Sequence, residues 1–406
     1  MGAALTSRAA SPEPSATPAP LAGVRVLDLS RVLAGPWAGQ LLADYGADVV
    51  KVERPGEGDD TRTWGPPFFG PREERRAAYF LAANRGKRSV AIDLASADGV
   101  ALVRQLAAQA DVLLENYKVG QLAKYGLDAA VMQALNPRLI YCSVTGYGQD
   151  GPYAAAAGYD FAIQATGGLM SLTGEKEGTP GSEPQKVGVA VSDLFTGVYA
   201  VTAILAALHE RERSGRGRHI DAALLDTQVA MLANQASNFF VGGKAPHRMG
   251  NAHVNIVPYQ VFATRDGHVV LAVGNDGQFR RFCQLAGRPA LADDPRFASN
   301  PARVERRAEL VPVLAAWMLE KTTAEWSALL EPNAVPCAPI LDLEGVFAHP
   351  QVQARGMRVE ADGVPMVACP MRFDGQRPQA AAPPPRLDEH GDAIRAALAR
   401  HGHWPS

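Results

Sequence analysis

Asp193 stands in the segment KVGVAVSDLFTGVYA, directly after Ser192, where a long stretch with helical apolar period begins. Near a helix N-terminus the dipole favours an anion by about 0.3–1 kcal/mol, which keeps a carboxylate ionised at neutral pH. An ionised carboxylate attacks a thioester without a partner base, whereas a serine hydroxyl needs one. Asp also serves as a plain helix cap at such positions, so the residue alone leaves both roles open. No G-x-S-x-G elbow and no H-E-x-x-H is present, which leaves serine-hydrolase and zinc-hydrolase chemistry without support.

A second group of residues is cationic. Arg54 lies in VERPGEGDD, Arg85, Lys87 and Arg88 in NRGKRS, and Lys124 in NYKVGQLAKYGL. All three segments read as turns at strand ends of one sheet, where they could converge on a polyanion. Each charge-assisted bond to a phosphate would contribute about 1.5–3 kcal/mol. Solvated surface charge is the competing reading. A third motif, Gly146-x-Gly148-x-x-Gly151, has the spacing of a dinucleotide fingerprint and is the sole support for a nicotinamide-dependent oxidoreductase. Pro152 follows it at once, so it opens no helix and reads as a glycine-rich turn.

The elements that must position these residues alternate. Val24–Leu29, Val49–Glu53, Ser89–Leu94, Asp111–Asn116 and Leu139–Val144 read as near-continuous apolar strands. Asp98–Gln109 and Leu127–Leu135 between them have helical period, and a long helix is expected from Asp193 to Arg213. This predicts an α/β fold with a mostly parallel sheet covered on both faces. Gly242–Pro258 reads as a loop, Gly267–Asn275 as a strand, and 278–286, 302–320, 323–331 and 388–400 as helices. The expected division is a tail over 1–20, a large domain begun by 21–225, a linker helix, mobile loop and small domain over 226–335, and a return to the large domain over 336–406.

Composition narrows the function classes. The chain has 406 residues, 47% hydrophobic, with 40 Lys and Arg against 42 Asp and Glu, a net charge of -2. That balance gives no electrostatic reason to bind nucleic acid or an anionic membrane. The four cysteines, Cys142, Cys283, Cys337 and Cys369, are far apart and without ligand spacing, so no metal site is expected and free buried thiols are. No run approaches the ~18 apolar residues of a membrane span, so none is expected. The first twenty residues lack a signal or transit pattern, and a cytoplasmic protein is the expectation.

Taken together, LAGVRVLDLSRVLAGPWAGQLLADYGADVVKVERPGEGDDTR, NRGKRSVAIDL, VLLENYKVGQLAKYGL, PRLIYCSVTGYGQDGPY, KVGVAVSDLFTGVYA, GNDGQFRRFCQLAGRPALADDPRFASNPARV and HPQVQARGM resemble class III CoA-transferases, the family of formyl-CoA and carnitinyl-CoA transferases. The resemblance implies a Rossmann-like large domain, a smaller α+β domain and an interlocked homodimer. It implies coenzyme A and acyl-CoA as substrates, no tightly bound cofactor, and Asp193 as the acylated residue. CoA contacts are implied for Val32, Leu33, Ala34, Arg54, Asn84, Arg85, Lys87, Arg88, Asn116, Tyr117, Lys118 and Lys124. Lys124 replaces an arginine of the formyl-CoA branch and keeps the charge without the planar fork. Leu33 stands where that branch has glutamine. Tyr159 stands where the family's racemases have histidine, and a phenol is a poor base for racemisation. Similarity to succinyl-CoA-dependent enzymes points to a dicarboxylate acceptor, with Arg31, Arg62, Tyr159 and Arg248 as candidate substrate contacts. A racemase or isomerase of the same fold and a non-catalytic CoA-binding protein are the other readings.

Overall fold

The computed structural model describes residues 19–380 and 382–404; the expected tail lies outside the described residues up to position 18. The chain forms two compact units. The first comprises residues up to 158, 192–227 and 357 onward; the second comprises 159–191 and 228–356.

The first unit is built on six parallel strands: β1 (Arg25–Asp28), β2 (Asp48–Glu53), β3 (Lys87–Ala91), β4 (Val112–Glu115), β5 (Ile140–Thr145) and β6 (His219–Ala223). Their spatial order is β3-β2-β1-β4-β5-β6. The all-parallel sheet is that expected from the alternating pattern, and its doubly wound order is that of the Rossmann-like domain the resemblance implied. The chain runs outward from β1 through β2 to β3, then returns to the other side of β1 as β4. Crevices outside the carboxyl ends of strands at such a reversal are the usual ligand sites of open α/β sheets.

Both faces are covered by helices: α1 (Ala34–Asp44), α2 (Ala97–Ala107), α3 (Ala129–Leu135), α4 (Val191–Ser214) and α5 (Gly391–His401). The Ser96 hydroxyl accepts the Gly99 N–H to start α2, and the Asp128 carboxylate accepts from Ala130 and Val131 to start α3. Leu27, Val50, Leu113 and Tyr141 of the strands pack in one core with Val103 and Leu106 of α2 and Ile394 and Leu398 of α5. Each such side chain contributes about 1.5–3 kcal/mol on burial, so the C-terminal helix closes the unit begun by β1.

The second unit carries a three-stranded antiparallel sheet in which 268–272 pairs with 259–263 and with 337–339. Helices Asp276–Leu285, Arg307–Met318 and Thr323–Leu330 pack on it around Phe262, Phe279, Phe282, Leu314 and Trp326. The unit extends to Gly356 rather than ending at 335, because Cys337 pairs with Leu271 in this sheet. It also takes in 159–191, which composition did not separate from the large domain. The helix expected over 302–320 is two, Asn300–Glu305 and Arg307–Met318, broken at Arg306. Residues 243–258 form no helix or strand, as expected.

One expectation is corrected by α4. Among the described residues it is one helix long and apolar enough to cross a bilayer by length and composition, with 44% of its most apolar window buried in the chain. Ala200, Val201, Ile204 and Ala207 lie inward, while Phe195, Val198 and Tyr199 are exposed. Apolar residues on both faces lengthened the run beyond a one-sided amphipathic helix.

Candidate functional site

A cleft of ≈ 410 Å³ opens at the strand reversal. Leu29, Ser30 and Arg31 after β1, Arg54 to Asp60 after β2, and Tyr117 and Gln121 after β4 surround it. Arg54 of the cationic group and Arg31 of the candidate substrate contacts stand here. Arg54 is exposed and pairs with Glu57 at 2.7 Å, and Arg31 pairs with Asp60 at 3.0 Å. The Arg31 guanidinium lies 6.0 Å from the Tyr117 ring centre. Asn116 holds the Arg31 backbone from both sides, accepting its N–H at 2.9 Å and donating to its carbonyl at 2.6 Å. Lys118 and Lys124 are exposed.

The NRGKR segment behaves differently. Asn84, Arg85 and Lys87 are buried. Lys87 Nζ donates to the Asp28 carboxylate at 2.9 Å, the Pro36 carbonyl at 2.8 Å and Asn84 Oδ1 at 3.0 Å. Burial pushes Lys87 down to about 8 against the pull of Asp28. Arg85 forks onto Asp44 and donates to the Val367 carbonyl at 2.9 Å, while Arg88 forks onto Asp48. Asn84, Arg85 and Lys87 are therefore interior braces rather than surface ligands for a polyanion. For Lys87 the reason is strand geometry: it opens β3 on the same face as the buried Ser89.

A second buried pair was not singled out in the sequence. Lys51 and Asp59 meet at 2.9 Å with side chains 0% exposed, and Lys51 also donates to the Ser30 carbonyl at 2.7 Å. Burial alone would raise Asp59, but the Lys51 charge and the Thr61 hydrogen bonds outweigh it and hold the carboxyl at about 2. Its oxygens accept the Val32 N–H at 3.2 and 3.3 Å. Val32 has φ +71°, a left-handed conformation that costs a β-branched residue about 1–3 kcal/mol. Beside this pair, Glu53 accepts from Arg62 Nε at 2.7 Å, Ser89 Oγ at 2.6 Å and the Asp59 N–H at 3.0 Å. Arg62, a candidate substrate contact, is thus occupied by Glu53 and lies 3.7 Å over the Phe80 ring. The signal for Lys51 was present: a lysine in the middle of the apolar strand VVKVE demands a buried partner.

Asp193 is half-buried within the first turn of α4, which begins at Val191. Gly197, one turn on, is where α4 meets the start of α1: a Cβ there would lie 2.8 Å from the Ala34 carbonyl oxygen and 3.0 Å from Trp37 Cδ1. At 1.5 Å per residue, Asp193 is about 6 Å along the axis on the same face. The helix dipole there supports a carboxylate. The Gly146 motif is a turn closed on itself, since the Gly146 and Gly158 backbones approach too closely for a Cβ on either, and the next helix starts only at Asp160.

The remaining candidates belong to the second unit. Tyr159 is 68% exposed, just before the helix Asp160–Thr166. The stem of Arg248 packs against Gly174; Gly174, Lys176, Gln185 and Asn251 line an open pocket of ≈ 540 Å³. Arg248 Nε is buried with no hydrogen-bond partner among the described residues. The four cysteines are free and buried.

The profile of CoA-transferase family III matches residues 21–391. The chain belongs to that family. As a family III CoA-transferase it is an enzyme of acyl-CoA metabolism. It is 52% identical over 386 residues to the succinate–glutarate CoA-transferase of Agrobacterium fabrum, covering 93% of this chain and 96% of the relative. It is 43% identical over 387 residues to the succinyl-CoA:glutarate CoA-transferase of Homo sapiens, covering 94% and 86%. The crystal structure of a CaiB/BaiF family protein from Brucella suis superimposes with a TM-score of 0.84 at 52% identity, covering 94% of this chain and all of the other. The oxidoreductase reading of the Gly146 turn is excluded by this membership and by the absence of a helix behind it.

Proposed function

We propose that this CoA-transferase passes CoA from succinyl-CoA to a dicarboxylic acid of glutarate type, with Asp193 as the covalent nucleophile. The observation that carries the mechanism is the position of Asp193 in the first turn of α4, one turn before the glycine packed on the α1 entrance. Support for the substrates comes from relatives named for succinyl-CoA and glutarate at 43–52% identity.

The Asp193 carboxylate attacks the donor thioester, forming a mixed anhydride and releasing CoA thiolate. Thiolate attacks the aspartyl carbonyl, which yields an aspartyl–CoA thioester and frees the donor acid. The acceptor carboxylate then attacks that thioester, and thiolate opens the second anhydride at the acceptor's carbonyl. Asp193 returns unchanged, and the acyl activation is conserved as long as water is excluded. The nucleotide end of CoA is assigned to the cleft, on Arg54 with Lys118 and Lys124 beside it. Of the candidate arginines for the distal carboxylate, Arg31 and Arg62 already hold carboxylates of this chain.

We also propose a homodimer. The exposed Phe195, Val198 and Tyr199 of α4 support a covering partner of the same chain. The test of the mechanism is Asp193→Asn with succinyl-CoA and glutarate. Transfer should vanish, and hydroxylamine should trap residue 193 in the wild type mixed with acyl-CoA alone. Turnover by the variant would refute the nucleophile. Light scattering reads the dimer directly.

A further inference from the structure

The segment joining β1 to α1 is held by side chains from three different strands or their ends. Ser30 N–H donates to Asp28 at 2.9 Å and its carbonyl accepts from Lys51 at 2.7 Å. Arg31 is clamped on both sides by Asn116 after β4, and Val32 N–H is held by Asp59 after β2. Three consecutive backbone units thus have fixed partners before the helix starts at Ala34.

Val32 is the only β-branched residue among the non-glycine residues with positive φ in the described chain; the others are Ala233, Ala334, Asp362, Asp374 and Asp388. A strained residue persists only where its surroundings over-determine it, and here the surroundings are a fully buried ion pair. Burying two charges is a costly way to gain stability, since well-packed apolar residues usually serve as well or better. What the pair supplies and an apolar filling would not is a fixed carboxylate that accepts the Val32 N–H as well as the Thr61 N–H of its own turn. The loop it fixes leads to Ala34, whose carbonyl meets α4 one turn from Asp193.

We infer that Asp59 is a positioning residue for CoA transfer: held by Lys51, it keeps Val32 left-handed and so sets the Val32–Ala34 backbone against the helix that bears Asp193. The inference rests on Asp193 being the acylated group. It assigns Asp59 no contact with substrate.

The experiment uses the full chain with succinyl-CoA and glutarate. Asp59→Asn keeps the shape of the side chain but loses the charge that pairs with Lys51. The expected result is a fall in kcat of about tenfold to a hundredfold, as a misplacement near 1 Å brings, with KM for succinyl-CoA within roughly threefold. Glycine adopts positive φ without steric cost, so Val32→Gly added to Asp59→Asn should recover most of the lost kcat. A purely stabilising role for Asp59 would give no such rescue. A folded Asp59→Asn enzyme with wild-type kcat, or a loss that Val32→Gly leaves untouched, overturns the inference. If Asp59→Asn does not fold, Val32→Pro decides the matter from the loop side, because proline has no N–H and fixes φ near −65°. Folded Val32→Pro with unchanged kcat overturns the inference; a selective loss of kcat upholds it. Hydroxylamine trapping on the wild type separates the two readings, since absence of label at Asp193 refutes the nucleophile without involving Asp59.

Discussion

Gly197 of α4 lies against the Ala34 carbonyl at the entrance to α1, so closely that a Cβ on residue 197 would stand 2.8 Å from that oxygen. The obstruction is backbone, which cannot swing aside as a long side chain would. Gly197→Val should cost about 1–3 kcal/mol by overpacking and displace the turn that carries Asp193. A thermal melt and a transfer assay together check this: kcat should fall by more than the fraction unfolded explains.

The exposed arginines of the cleft are already paired, Arg54 with Glu57 and Arg31 with Asp60. An incoming phosphate must displace those carboxylates, and exposed pairs contribute only about 0–1 kcal/mol each. Glu57→Gln and Asp60→Asn should therefore lower KM for acyl-CoA up to about fivefold apiece, an effect that shrinks as salt rises. Steady-state kinetics at two ionic strengths would reveal it; a raised KM would show that the carboxylates help rather than compete.

Lys87 and Arg54 should separate cleanly. Lys87→Met leaves Asp28 buried without its partner and should cost about 3–5 kcal/mol of stability. Arg54→Ala, at an exposed site, should leave the melting temperature unchanged and raise KM for acyl-CoA. Denaturant unfolding beside saturation kinetics distinguishes brace from ligand contact.

Glu115 provides a pH signature. Burial pushes its carboxyl up to about 7, against the Ser143 hydroxyl and the Tyr117 N–H that favour the ion. The folded protein then holds a proton that the unfolded chain has released above its ordinary 4.5. The contribution of Glu115 to stability should therefore fall as pH rises between those values, by up to about 3 kcal/mol. Glu115→Gln should flatten that fall. His219, which meets Ser143 at 3.0 Å and whose own pKa burial lowers, gives a slope of the opposite sign below 6.5. Urea unfolding from pH 5 to 8 in both the wild type and Glu115→Gln resolves the two.

The sequence by itself determined the alternation of strands and helices, the long helix opening near Asp193 and the family motifs, because apolar period and turn residues are local properties. The family resemblance also offered Arg54 and the Asn116–Lys118 turn as CoA contacts, and of these Arg54 and Tyr117 line the cleft. Only the tertiary structure decided which charges face solvent. Lys87 finds Asp28 across 59 positions, and Asp59 reaches back to Val32 across 27; both contacts depend on the order in which strands lie side by side. The end of the second unit was hidden for the same reason, since Cys337–Pro339 becomes a strand through pairing with 269–271. A residue's type limits what it can do, but the faces of a sheet and the partners across it determine what it touches.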